Sequence, residues 1–192
     1  GVKNGSCVLD VCSGTADMAI LLAKKAGPSG RVIAADLNPE MLRIGREKVL
    51  GQGLGGIISC VLGNAESLQF GDNKFDVVTV GFGVRNVTHL EKAFSEMFRV
   101  TKPGGKVVCL EFTQPSSPVF RYIYDFYSFT LLPAIGTLLS KDRTGIYQYL
   151  PDSIRKFPPA EDLRRLMLRV GFSNVYYHTL SGGIVAVHAG TK

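Results

Sequence analysis

Two aspartates, each closing an apolar run, could hold the sugar and the amino-acid end of one ligand. The first run is Val8-Leu9-Asp10-Val11, followed by the small-residue stretch Cys12-Ser13-Gly14-Thr15-Ala16-Asp17. The second is Val32-Ile33-Ala34-Ala35-Asp36. A strand, a tight loop, a helix start and a second strand ending in an acid roughly 20 residues further on are the parts with which an open α/β sheet binds a nucleoside cofactor. In this reading the loop lets the ligand approach bare backbone at Gly14, and Asp36 accepts hydrogen bonds from both ribose hydroxyls.

The residues of the loop discriminate between cofactors. A dinucleotide site needs G-x-G-x-x-G, because a pyrophosphate must touch backbone at a helix N-terminus. Here Gly14 stands alone, and Asp17 occupies the place where the helix opens. A carboxylate there repels a diphosphate but accepts a ligand carrying an ammonium and a sulfonium. The pattern therefore suits S-adenosylmethionine (SAM), with Asp10 and the loop near its amino-acid end.

Ligands of open α/β sheets sit beyond the carboxyl ends of the strands, so residues just after later strands join the same crevice. Leu37 is available to pack on an adenine, and Asn64 is placed to read its edge. The fourth apolar run delivers Gly81-Phe82-Gly83-Val84-Arg85-Asn86. Methyltransferases of base amino groups often carry an Asn/Asp-Pro-Pro-aromatic turn here, and this chain does not. Its two glycines would admit a flat ligand, and Arg85 offers a fixed charge with a planar donor fork, able to stabilise a developing phenolate or enolate oxygen.

The elements that must position these groups alternate regularly. Near-continuous apolar runs at 7–11, 31–36, 57–62, 75–81 and 106–111 predict parallel strands covered on both faces. Asn38-Pro39 opens a helix to about Leu50, and Thr88 with Glu91 reads as a capping box for a helix ending near Val100. Lys102-Pro103-Gly104-Gly105 leads into the fifth strand. Residues 112–157, rich in aromatics and prolines, read as a helical cap inserted over the sheet. A helix over 160–170 ended by Gly171 follows, then strands at 174–180 and 184–189 around Ser181-Gly182-Gly183. The expected fold is α/β: a doubly wound, Rossmann-like sheet of five parallel strands plus a C-terminal antiparallel hairpin, in one domain over residues 1–192.

Composition narrows the classes further. The chain has 192 residues, 45% of them hydrophobic, which suits one domain with a full core. Its net charge of +6 is modest and spread along the chain, so no nucleic-acid partner is expected. The cysteines, Cys7, Cys12, Cys60 and Cys109, form no C-x-x-C pair, which points to free thiols, a reducing compartment and no metal site. The most apolar stretch, Tyr122 to Leu139, is broken by Asp125 and Pro133 and is no membrane span. His178 and His188 read as structural and His89 as a surface residue. The chain begins abruptly before its first strand, which suggests a missing N-terminal segment.

Several segments together carry a family resemblance. Gly83-Val84-Arg85-Asn86-Val87-Thr88, Phe98-Arg99-Val100-Thr101-Lys102-Pro103-Gly104-Gly105 and Leu110-Glu111-Phe112 closely resemble the ubiquinone/menaquinone C-methyltransferases, the UbiE/MenG family. So do Tyr124-Asp125-Phe126-Tyr127-Ser128-Phe129, Tyr147-Gln148-Tyr149-Leu150 with Ser153-Ile154, and the ending Leu180 to His188. The resemblance spans essentially the whole chain. It implies methyl transfer from SAM to a ring carbon of a polyprenylated quinol, with Thr15, Asp36, Asn64 and Ala65 contacting SAM and no metal.

The chain departs from the family at three points. Its loop reads Ser13-Gly14-Thr15-Ala16-Asp17 where Gly-Gly-Thr-Gly-Asp is usual. Gly81 stands where some members place a SAM-contacting serine, so it can serve only through backbone. A family N-terminal segment is expected to be missing ahead of the first strand.

The implied chemistry assigns roles. Ionising a ring hydroxyl turns an aromatic carbon into a nucleophile, and the protein must favour that phenolate at near-attack distance. Arg85 is the candidate catalytic residue. Asn86, Tyr147 and Tyr149 are candidates for holding ring oxygens. A lipid-tailed substrate implies a cytoplasmic protein touching the inner face of the membrane peripherally. The residues leave the choice between monomer and homo-oligomer open. Two alternatives share the SAM site: methylation of another hydrophobic small molecule, or a SAM-binding, non-catalytic subunit of a quinone-synthesis complex.

Overall fold

A computed structural model describes residues 1–114 and 153–192. Apolar strand runs that need cover on both faces set the architecture. β1 (Cys7–Val11), β2 (Arg31–Asp36), β3 (Ile58–Leu62), β4 (Phe75–Gly81) and β5 (Thr101–Phe112) are parallel. The C-terminal β6 (Ser173–Leu180) and β7 (Val185–Thr191) are antiparallel, with β7 inserted between β5 and β6. The sheet order is β3-β2-β1-β4-β5-β7-β6. The order reverses between β1 and β4, and such a switch point opens a crevice beyond the strand ends. The expected doubly wound sheet with a terminal hairpin is the one observed.

Side-chain alternation along the strands builds two cores. Val8, Val32 and Val77 pack with Ile20 and Ala23 of α1 (Asp17–Ala26) and Val49 of α2 (Pro39–Gly51). Leu9, Val11, Val78 and Val80 face the other way. They meet Phe94 and Met97 of α3 (Leu90–Val100) and Leu163 and Met167 of α4 (Ala160–Val170). The turn at Ser181–Gly183 joins β6 to β7.

Strand boundaries move by a few residues from the sequence reading. The largest shift is at β5, which starts at Thr101 because the register jumps from Phe75↔Thr101 to Val77↔Lys106 and absorbs the Pro-Gly-Gly segment. Phe112 is the last residue of β5, not the first of a cap. Of the expected cap, residues 115–152 lie outside the described residues.

The helix starts divide into one expected and one corrected. Asn38 caps α2, its Oδ1 accepting the N–H groups of Glu40 at 2.9 Å and Met41 at 3.3 Å. Asn38→Ala should lower stability by about 1 kcal/mol, read as a fall in urea midpoint. The capping box at Thr88 does not form: α3 begins at Leu90 with His89 at its N-cap, and no side chain of its own segment caps it. The Glu66 carboxylate takes the Thr88 and His89 N–H groups instead.

Candidate functional site

The crevice is a cleft of about 480 Å³, within the ~300–1,000 Å³ range of ligand pockets. Its floor is Cys12, Gly14 and Asp36 after β1 and β2. One wall is Asn64, Ala65 and Glu66 after β3, and the other is Phe82, Gly83, Asn86, Val87 and Thr88 after β4, with Arg85 outside the lining. Leu37 and Met41 expose apolar surface at the rim, 67% and 43% accessible. Five sequence candidates therefore share one cavity: Gly14, Asp36, Asn64, Ala65 and Asn86.

Asp36 organises the floor. Its Oδ2 accepts the Gly14 N–H at 2.7 Å and its Oδ1 the Asn38 N–H at 2.8 Å. A carboxylate has about four lone-pair sites, so two remain for a pair of vicinal hydroxyls. The residues thus fit a ribose-bearing donor such as SAM: a fixed acceptor on the floor, an apolar rim at Leu37 and Met41, and a polar wall at Asn64. The side chain of Asn64 accepts the Glu66 N–H at 2.9 Å, so its orientation is set by its own turn.

Other candidates lie away from the cavity. Asp10 is 1% exposed, because period-two alternation puts it on the α1 side with Val8, next to Thr79 on β4. Thr79 Oγ1 donates to Asp10 Oδ1 at 2.7 Å, while Oδ2 is buried and makes no hydrogen bond. Burial, with a smaller push from Asp36, raises the Asp10 carboxyl to about 7. An acid that holds its proton more tightly when folded stabilises the fold fully below its ordinary 3.8. That stability is lost as pH rises through about 7. Asp10→Asn should flatten the fall in unfolding free energy between about pH 4 and pH 7.

Thr15 and Asp17 form a surface cluster with α2. Lys48 Nζ donates to Thr15 Oγ1 and pairs with Asp17, both at 2.9 Å, and Thr15 Oγ1 donates to Asp17 Oδ2 at 2.7 Å. The hydrogen bond from Lys48 holds the Asp17 carboxyl below its usual range. Asp17 therefore spends its charge on a lysine and does not select the ligand in the way its position in the loop suggested. Gly81, which ends β4, and Gly83 just beyond it also serve packing. A Cβ at Gly83 would stand 2.3 Å from Cys12 Cβ, and one at Gly81 3.0 Å from Met18 Cε. Both let chain segments come close, and Gly83 also lines the cleft. Cys12 lines the cleft, but burial and then the Asp36, Asp10 and Glu111 charges push its thiol up to about 12, so it is no nucleophile.

Arg85 is paired. Its Nη1 donates to Glu111 Oε1 at 2.8 Å and to the Phe82 carbonyl at 2.5 Å, and its Nε to Ser153 Oγ at 3.3 Å. The guanidinium lies over the Phe112 ring, 5.3 Å from its centroid. The Arg85 and Glu111 side chains are 9% and 1% exposed. Glu111 also accepts the N–H groups of Arg85 and Phe112, so every oxygen is engaged. Among the described residues, Nη2 of Arg85 makes no hydrogen bond. Tyr147 and Tyr149 lie outside the described residues.

Two acids carry more of this site than the sequence reading gave them. Glu111 neutralises Arg85, and Glu66 bridges the cleft walls. Each follows directly on residues already placed at a strand end, which was the available signal. His188 is structural, its Nε2 within 2.8 Å of the Ala160 carbonyl. Among the described residues no His, Cys, Asp and Glu side chains group as a metal site.

Comparison with known proteins places this geometry. A model of the ubiE/COQ5 methyltransferase family matches residues 1–192. A Pseudomonas paraeruginosa protein named ubiquinone/menaquinone biosynthesis C-methyltransferase UbiE is 48% identical over 192 residues, covering 100% of this chain and 75% of its own length. Among solved structures, a SAM-dependent methyltransferase from Aquifex aeolicus superposes with a TM-score of 0.69 at 20% identity. It covers 99% of this chain and 84% of that one. The [4+2]-cyclase SpnF reaches 0.75 at 17% identity, covering 99% and 76%. Likeness at that identity shows the fold, which hosts more than one reaction.

Proposed function

The chain belongs to the ubiE/COQ5 methyltransferase family, and we propose on that premise that it methylates a ring carbon of a polyprenylated quinol with SAM. The acceptor is demethylmenaquinol, giving menaquinol, or the equivalent precursor of ubiquinol. What carries this reading is the 48% identity across the whole chain to a C-methyltransferase of quinone biosynthesis, met by a cleft whose floor carboxylate keeps room for two hydroxyls.

SAM supplies an electrophilic methyl on a sulfonium. The chain's own residues hold and orient. Asp36 fixes the donor's sugar, while Leu37 and Met41 shield its base. Asn86, on the opposite wall, is placed to hold a ring oxygen. Arg85 favours the phenolate through its Nη2 donors. Glu111 holds the planar guanidinium in place but cancels most of its net charge. Stabilisation then rests on an oriented donor rather than on a bare cation.

The test is acceptor-dependent turnover. The full chain should consume SAM in the presence of a short-chain demethylmenaquinol and not with an unrelated hydrophobic phenol. SAM binding without turnover on any quinol would favour the non-catalytic alternative.

A tailed quinol resides in a bilayer, so the protein must visit its surface. No helix among the described residues is long and apolar enough to cross a membrane. Arg155, Lys156 and Arg169 are exposed and could meet anionic lipid on the cytoplasmic side. The protein should float with anionic liposomes at low salt and release at high salt. Absence from the floated fraction at low salt would contradict peripheral docking.

A further inference from the structure

We propose that Glu66 is a positioning residue that ties the two walls of the cleft together and so sets its width for SAM. The inference rests on the reading of the cleft as the SAM site. In the sheet order, β2 and β1 separate β3 from β4, so the segments following β3 and β4 stand on opposite sides of the cavity. A side chain reaching across can fix their separation at the cleft. Glu66 makes that link. Its Oε1 accepts the Thr88 N–H at 2.7 Å and the His89 N–H at 3.0 Å, and its Oε2 lies 2.9 Å from His89 Nδ1.

The link is directed, and the carboxylate is its more sheltered end. The Glu66 side chain is 14% exposed, whereas His89 is 69% exposed. Hydrogen bonds from the His89 backbone, then its ring, hold the Glu66 carboxyl below its usual range. The acceptor is therefore charged when it binds these N–H groups, which makes each bond stronger than a neutral one. Through its own N–H on Asn64 Oδ1, the same residue also sets the side chain on the adenine wall.

The fold does not depend on this link. The segment after Glu66 is anchored to α3 separately. Leu68 N–H donates to Glu96 at 2.7 Å, and Arg99 donates to the carbonyls of Leu68 at 2.9 Å and Phe70 at 2.8 Å. Phe70 also packs edge-on against Phe75 at 5.2 Å. Loss of Glu66 releases the wall without releasing the core.

Calorimetric titration of the full chain with SAM tests this. Glu66→Ala should weaken SAM binding roughly tenfold, the effect of losing about one charge-assisted hydrogen bond from the organised site. Glu66→Gln should restore affinity to within about threefold. Its amide oxygen can accept both backbone N–H groups, and its amide nitrogen can donate to His89 Nδ1. In turnover, the loss should fall on KM for SAM while KM for the quinol holds, a split that general destabilisation would not produce. Equal affinity of Glu66→Ala and the parent chain would overturn the inference. So would a Glu66→Gln variant as weak as Glu66→Ala, since the charge would then be acting on the ligand itself. A parent chain that binds no SAM would sink both this inference and the reading beneath it.

Discussion

Asp36→Asn should lower SAM affinity by roughly a hundredfold or more. Two hydroxyl hydrogen bonds to a charged acceptor are worth ~1.5–3 kcal/mol each, and ~1.4 kcal/mol is a factor of ten. The isosteric change does a second kind of damage. Asp36 accepts from Gly14 N–H and Asn38 N–H through its two separate oxygens. An asparagine can satisfy only one of them, and its NH₂ must then face the other N–H. The first loop and the α2 N-terminus would lose their common anchor at the moment the sugar loses its acceptor. Calorimetry with SAM, or with its demethylated product, reads the effect. Because Asp36 sits on the floor rather than in either core, the unfolding midpoint should move far less than the affinity.

The buried pair of Arg85 and Glu111 should give the largest stability effects. Glu111→Ala leaves a guanidinium in a site where that side chain is only 9% exposed. Breaking a buried pair from one side costs about 3–5 kcal/mol. Arg85→Ala leaves the Glu111 carboxylate, 1% exposed, with only backbone N–H donors, and should cost a similar amount. Replacing both partners with Met and Leu should recover most of the lost stability, since no charge is then stranded. It should still abolish turnover if Arg85 acts on the phenolate. Arg85→Lys separates the two roles: charge is kept, but the planar fork that reaches Glu111, Phe82 and Ser153 together is lost. That variant should keep SAM affinity within about twofold while turnover falls by about a hundredfold, the scale of one lost oxyanion donor. Loss of SAM binding in Arg85→Lys would show the arginine to be a strut of the SAM site.

The architecture was legible because parallel strands covered on both faces must be apolar throughout. Runs ending at Val11, Asp36, Leu62 and Gly81 end there in the structure as well. The placement of Asn38 and Gly171 at helix ends was legible for the same local reasons, an acceptor at one end and a left-handed glycine at the other. Residues whose partners come from distant segments were not legible. Thr88 has the sequence of a capping box, but Glu66, 22 residues away, supplies the acceptor. Gly83 reads as space for a ligand, and the close approach of Cys12 to it has no signal in the local sequence. The partner of Arg85 was not legible, because Glu111 lies 26 residues on, at the end of the neighbouring strand. Asp10 was a different kind of miss. Its position two residues after Val8 already put it on the α1 face, and applying that alternation would have placed it beneath the helix.

The central claim is that a ring carbon receives the methyl group. SAM carrying a ¹³C-labelled methyl should be turned over with a short-chain demethylmenaquinol, and the product read by carbon NMR. The label should appear as a methyl on the quinol ring, with both oxygens unmethylated. A methoxy resonance, or unlabelled quinol recovered from a protein that binds SAM, would contradict it.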